Sequence, residues 1–116
     1  MSLYTASLVA QDTSVYLCDI VKPRGADEWF ANVISGYVAG NTFGTGTVTY
    51  SVSLDGGTTK VGINQDGTAT AATQTAAGTI NLRFGWPADN INEAKLYASI
   101  ATATNPVVNI AVMDNR

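Results

Sequence analysis

Residues 47–60 read TVTYSVSLDGGTTK, and this stretch decides the fold class. Val48, Tyr50, Val52 and Leu54 alternate with Thr47, Thr49, Ser51 and Ser53, the period-2 pattern of a strand with one buried face. Asp55, Gly56 and Gly57 then reverse the chain. Asp-Gly after alternating apolar residues is the strongest short-range hairpin signal. The rest of the chain repeats the theme.

Outward from this hairpin, residues 3–9, 15–21 and 29–38 are strand candidates before it, and residues 60–64 return from it. Residues 79–86 place Ile80, Leu82, Phe84 and Trp86 on one face, and Pro87 stops them. Residues 95–101 point Leu96, Ala98 and Ile100 inward, and residues 107–113 close the series. Residues 69–77 are small, polar and weakly patterned. The breaks hold Gly, Pro, Asn or Asp, as turns require. About eight strands follow, in an all-β, single-domain antiparallel β-sandwich spanning residues 1–116. Jelly-roll and immunoglobulin-like connectivity both remain open. Helix is expected only as a turn near residues 25–30 or 88–94, where Asp89 or Asn90 could cap it.

Composition narrows the function. Hydrophobic residues make up 46% of the 116, and charged residues only 13%, about half the usual share. Thr, Ser, Asn and Gln supply the polarity instead, which suits close contact with protein or an uncharged ligand because few charges need desolvation. The net charge of −3 includes no basic cluster, so nucleic acid is not an expected partner. No run of roughly 18 apolar residues occurs, so no membrane span is expected. The first residues lack the basic and apolar regions of a signal peptide. The single Cys18, within VYLCDI, reads as a buried structural thiol of a protein made in a reducing cytoplasm.

Catalytic designs fail on inventory. The chain has no His, which removes the commonest general base and metal ligand. Asp27 and Glu28 are adjacent, so on a strand they point to opposite faces and cannot act as an acid/base pair on one substrate. Gly44-Thr45-Gly46 is followed by a strand pattern rather than the helix a phosphate cradle needs. Asp55 and Asp66 read as turn residues, not as a calcium site. No catalytic, cofactor-binding or metal-binding residue is expected. Trp29 and Phe30 face opposite ways on a strand, so one of them is expected at a surface or interface.

Residues 53–60, SLDGGTTK, match the S-x-D-x-G-x-T pattern of an Asp-box hairpin, with Lys60 where the box usually has an aromatic. With TAAGTINLRF (75–84) and LYASIATATNPVVNIAVMDN (96–115), the chain resembles small β-sandwich structural proteins of tailed bacteriophages. The resemblance covers about residues 29–115. It implies a non-enzymatic virion protein, made in the host bacterial cytoplasm. The closest likeness is to a capsid decoration (cement) protein that binds the major capsid protein or another virion protein as a dimer or trimer. A carbohydrate- or receptor-binding module of a tail or fibre, or a head-tail joining protein, is the alternative. The expected contact residues are Ser2, Leu3 and Tyr4 near the N-terminus, Trp29, and Asn41, Thr42, Phe43 and Gly44 of the Gly-rich loop.

Overall fold

The alternation read from the sequence carries into the computed structural model, which describes residues 3–9, 14–22, 25, 28–66, 70–86 and 90–114. Nine strands are present: β1 (Leu3–Leu8), β2 (Ser14–Val21), β3 (Glu28–Ser35), β4 (Thr47–Ser53), β5 (Val61–Gly62), β6 (Thr73–Gln74), β7 (Gly78–Gly85), β8 (Glu93–Ala101) and β9 (Val108–Asp114). No helix occurs among the described residues. The turns expected near 25–30 and 88–94 are replaced at Glu28 and Glu93 by the starts of β3 and β8. Residues 26–27 and 87–89 lie outside the described residues.

One sheet runs β1-β9-β3-β7; the other runs β2-β8-β4-β5, with β6 also on β4, and every pairing is antiparallel. β5 and β6 are two pieces of one edge strand, since Val61 and Gly62 pair with Val52 and Ser51, and Thr73 and Gln74 with Thr49 and Val48. Between the pieces, Ile63 N–H donates to Tyr50 O, Tyr50 N–H to Ala72 O and Ala72 N–H to Ile63 O, which pinches the excursion shut at its base. Eight strands therefore pair first with last, second with seventh, third with sixth and fourth with fifth. That is one long hairpin rolled into two sheets, the jelly-roll connectivity.

The core is the inner face of both sheets. Leu8, Ile20, Val33, Val48, Leu82, Leu96, Ile100 and Ile110 are fully buried, each gaining roughly 1.5–3 kcal/mol over an exposed position. Phe84 and Trp86 pack edge to face at 5.0 Å against this core. Cys18 is buried too, and burial, helped by Asp114 and Asp19, pushes its thiol up to about 12. In β2 a bulge at Leu17 breaks the register between Tyr16 and Cys18. Such kinks deter edge-to-edge pairing on an edge strand.

Two expectations are corrected. Trp29, expected as a contact residue, is fully buried: its cross-strand partner is Phe84, and it shares the inward parity of Ala31 and Val33. Phe30 is the exposed member of the pair, at 50%. The alternation of β4 also ends one residue early, with Ser53 buried and Leu54 exposed. Ser53 lies on the outer side opposite Lys95 and is buried beneath the turn that its hydroxyl holds together.

Candidate functional site

The jelly roll gathers its loops at two ends, and these differ in charge. The register Leu8↔Val108 brings the end of β1 beside the start of β9. Connections 36–46, 75–77 and 102–107 therefore share one end, with Val9 at its border. None of these three loops contains Asp, Glu, Lys or Arg. The fourth connection at this end holds Asp12, which lies outside the described residues. At the opposite end stand Lys22, Asp55, Lys60 and Glu93, with the Lys95–Asp19 ion pair (2.9 Å) just inside. Lys95, then Tyr16, holds the Asp19 carboxyl below its ordinary range by hydrogen bonding.

The uncharged end is built by long-range bonds. Thr42 and Val107 exchange backbone hydrogen bonds, both 2.8 Å. The Asn41 amide donates to Val38 O and to Asn109 Oδ1, and its oxygen accepts from the Asn109 N–H. Thr104 N–H donates to Gly44 O at 2.9 Å, and Gly46 N–H to Phe43 O at 2.8 Å. Beneath the loops, the buried Tyr50 hydroxyl donates to Gln74 Oε1, and Gln74 Nε2 donates to Gly78 O. Ser35 Oγ donates to that same carbonyl, so β3, β4, β6 and β7 meet around one polar point. Each bond fixes the loops before any partner arrives.

That end also carries backbone strain. Among the described residues, the non-glycine positions with positive φ are Thr45 (63°), Thr102 (61°) and Asn105 (46°), all in these two loops. Positive φ is unusual for a β-branched residue, and such positions cost of order 1–3 kcal/mol each. Gly44 has φ 58°, and a Cβ there would lie 2.3 Å from Thr104 O. Strain held by surrounding bonds is a feature of binding sites. Above this scaffold Val9, Tyr37, Val38 and Val107 are each more than 40% exposed.

The expected contact residues separate accordingly. Asn41, Phe43 and Gly44 are in the loop but build it: Asn41 clamps β9, Phe43 packs on the core and Gly44 abuts Thr104. Thr42 is exposed. Leu3 is 64% exposed on the outer face of the first sheet, Tyr4 points inward, and Ser2 lies outside the described residues. The exposed apolar side chains of the site are Val9, Tyr37, Val38 and Val107; Tyr37, like Tyr97, is an aromatic the sequence offers for a contact surface, and the three valines are not among the expected contacts. For those in the loops, the signal in the sequence was the long uncharged runs 29–54, 67–82 and 96–113, each of which contains one of the three loops.

Asp55, Gly56 and Gly57 lie at the other end, in the expected turn. Ser53 Oγ accepts from the Gly57 and Asp55 N–H groups and donates to Asp55 Oδ1, which also accepts from Thr59 N–H. These bonds, the Thr59 one foremost, lower the Asp55 carboxyl to about 2. Lys60 sits 4.7 Å over the Tyr97 ring and donates to Gly57 O, so a cation–π contact occupies the place of the box's usual aromatic. The hydrogen bonds of Ser53, Asp55 and Lys60 all close within the turn. It marks architecture rather than chemistry.

Neither a family model, nor a curated protein, nor a solved structure is significantly similar to this chain. Among the described residues no three His, Cys, Asp or Glu side chains gather where they could hold a metal ion.

Proposed function

We propose that this is a non-enzymatic structural protein of a tailed-phage virion, a decoration protein that docks on the head shell through the three uncharged loops gathered at one end. The observation that carries the docking surface is that end itself: loops without charge, tied by long-range bonds, holding Tyr37, Val38 and Val107 in solvent. A pre-ordered surface loses little conformational entropy on binding, and an uncharged one loses little hydration. The virion setting rests on the resemblance carried by residues 29–115. A protein that binds the assembled shell but not its dispersed subunits stabilises the shell by mass action, and many copies on a lattice multiply a modest contact.

Glycan binding, the alternative, calls for exposed coplanar rings. Trp29 is buried, and Tyr16 and Tyr97 meet at 65° with Lys95 and Lys60 over their rings, an arrangement that favours the docking reading. The test is thermal release of packaged DNA from undecorated phage heads with and without the protein. Stabilisation by the parent and its loss in Tyr37→Lys and Val107→Lys is the expected outcome. No binding, or equal binding by both variants, would sink the idea.

A further inference from the structure

Granting the docking reading above, on which this one rests, we propose that the outer edge of β1 takes an extended, uncharged segment of the shell protein as an added strand. Hydrogen bonding around β9 shows which way that edge faces. The Asn109 N–H donates to Asn41 and the Asn109 carbonyl accepts from Gly36, so both point away from β1. Backbone groups of successive residues alternate sides in an antiparallel ladder. Val108, Ile110 and Val112 therefore bond Leu8, Ala6 and Tyr4, while Leu3, Thr5 and Ser7 turn their N–H and C=O groups outward. Among the described residues no strand pairs with β1 on that side.

The other edges are protected. On β7 the outward Arg83 N–H donates to Asn64 O at 3.0 Å. β5 and β6 are only two residues each. β2 carries the bulge at Leu17 and Asp19, paired with Lys95. Short strands, bulges, charges and covering loops are the usual defences of an edge. β1 has none of them: six residues pair in unbroken register, and no residue from Leu3 to Val9 is charged or a proline.

The edge selects its occupant. Its outward backbone groups recur about 7 Å apart, the spacing of every second strand residue, and so match another extended chain. Beneath them Tyr4 and Ala6, with Val15 of β2, are only partly buried against the core, whereas Val33, Val48 and Leu96 on inner strands are fully buried. Apolar side chains at alternate positions of an added strand complete that cover. A charge on the segment would find no counter-charge from Leu3 to Val9. β1 also runs directly into Val9, exposed at the border of the three uncharged loops, so the protein held by those loops is the one whose chain reaches the edge. A second copy fits worse. Two β1 edges joined antiparallel about a two-fold axis turn the loops of the two molecules in opposite directions, and only one set can face the shell.

The test is backbone hydrogen exchange, read residue by residue on the free chain and on the chain bound to undecorated heads. In the dilute free chain Thr5 and Ser7 should exchange quickly and Ala6 and Leu8 slowly; on heads Thr5 and Ser7 should slow about a hundredfold or more. Thr5→Pro removes an outward donor and no ladder bond, which an edge strand tolerates, and should weaken head binding about tenfold. Thr79→Pro sets the same ring on the outward side of β7 and should bind as the parent does. Circular dichroism checks folding; if Thr5→Pro unfolds, the exchange pattern of the parent decides. Four results would each overturn the inference: Thr5 and Ser7 already protected in the dilute free chain, protection that rises with protein concentration alone (a second copy on the edge), no added protection on heads that do bind, or equal head binding by Thr5→Pro and the parent. The last two leave the docking reading standing, whereas a protein that binds no heads removes both.

Discussion

At one end of the sandwich the turn over residues 53–60 is closed by hydrogen bonds spanning at most four residues. At the other, Asn41 reaches across 68 residues of sequence to Asn109. This turn needs only its own octapeptide for its hydrogen bonds, while the other end exists only once β3, β4, β8 and β9 are assembled. The turn can thus be made early and cheaply. The uncharged end is the one whose shape depends on the whole fold, as a specific contact surface requires.

Substitutions should expose this difference. The largest effect belongs to Gly44→Ala, which combines positive φ with a Cβ 2.3 Å from Thr104 O. A loss of about 3 kcal/mol is expected, a drop of roughly 10 °C or more in a thermal melt. Gly56→Ala, in the opposite turn, meets only the positive φ of 80° with nothing within 4 Å, and should cost about 1 kcal/mol. Equal losses would erase the distinction between the two ends.

Asn41→Ala should come next, at about 2 kcal/mol by denaturant midpoint, because the Asn109 N–H loses its acceptor. Hydrogen exchange at Asn109 should accelerate while exchange at Gly57 stays unchanged. In the local turn, Asp55 has a folded value of about 2 against an ordinary 3.8. Its contribution is therefore present above pH 4 and is lost as pH falls from about 4 to 2. The parent should lose stability more steeply than Asp55→Asn across that window, and parallel curves would refute the turn's electrostatic role. The smallest effect is Lys60→Ala, about 0.5 kcal/mol for an exposed cation–π contact, read by the same melt.

Legibility in the sequence followed the same division. Strands and the Asp55-Gly56-Gly57 turn were readable because periodicity and turn chemistry are local. The parity of β3 was readable in principle: Asn32 shares a face with Phe30, and a polar residue marks the outward side. Trp29, expected at the contact surface, fills the core as large aromatics do, here opposite Phe84. β6 is only two residues long, too short to show a period. The Asn41 clamp and the Thr42–Val107 bridge join loops far apart in sequence, so no spacing could announce them. What could be read there was the lack of charge in three separate runs.

The interrupted edge strand has a further consequence. Ile63 and Ala72 bond each other at 2.8 Å and flank Tyr50 on both sides, so the ladder runs on across the gap. Asn64 O accepts from Arg83 N–H at 3.0 Å, which ties the start of the excursion to β7. Length added beyond Asp66 enters stability through loop closure, about 0.6 kcal/mol per doubling. A flexible epitope spliced between Asp66 and Thr70 should shift the melting temperature by only a few degrees, turning the module into a carrier for displayed peptides.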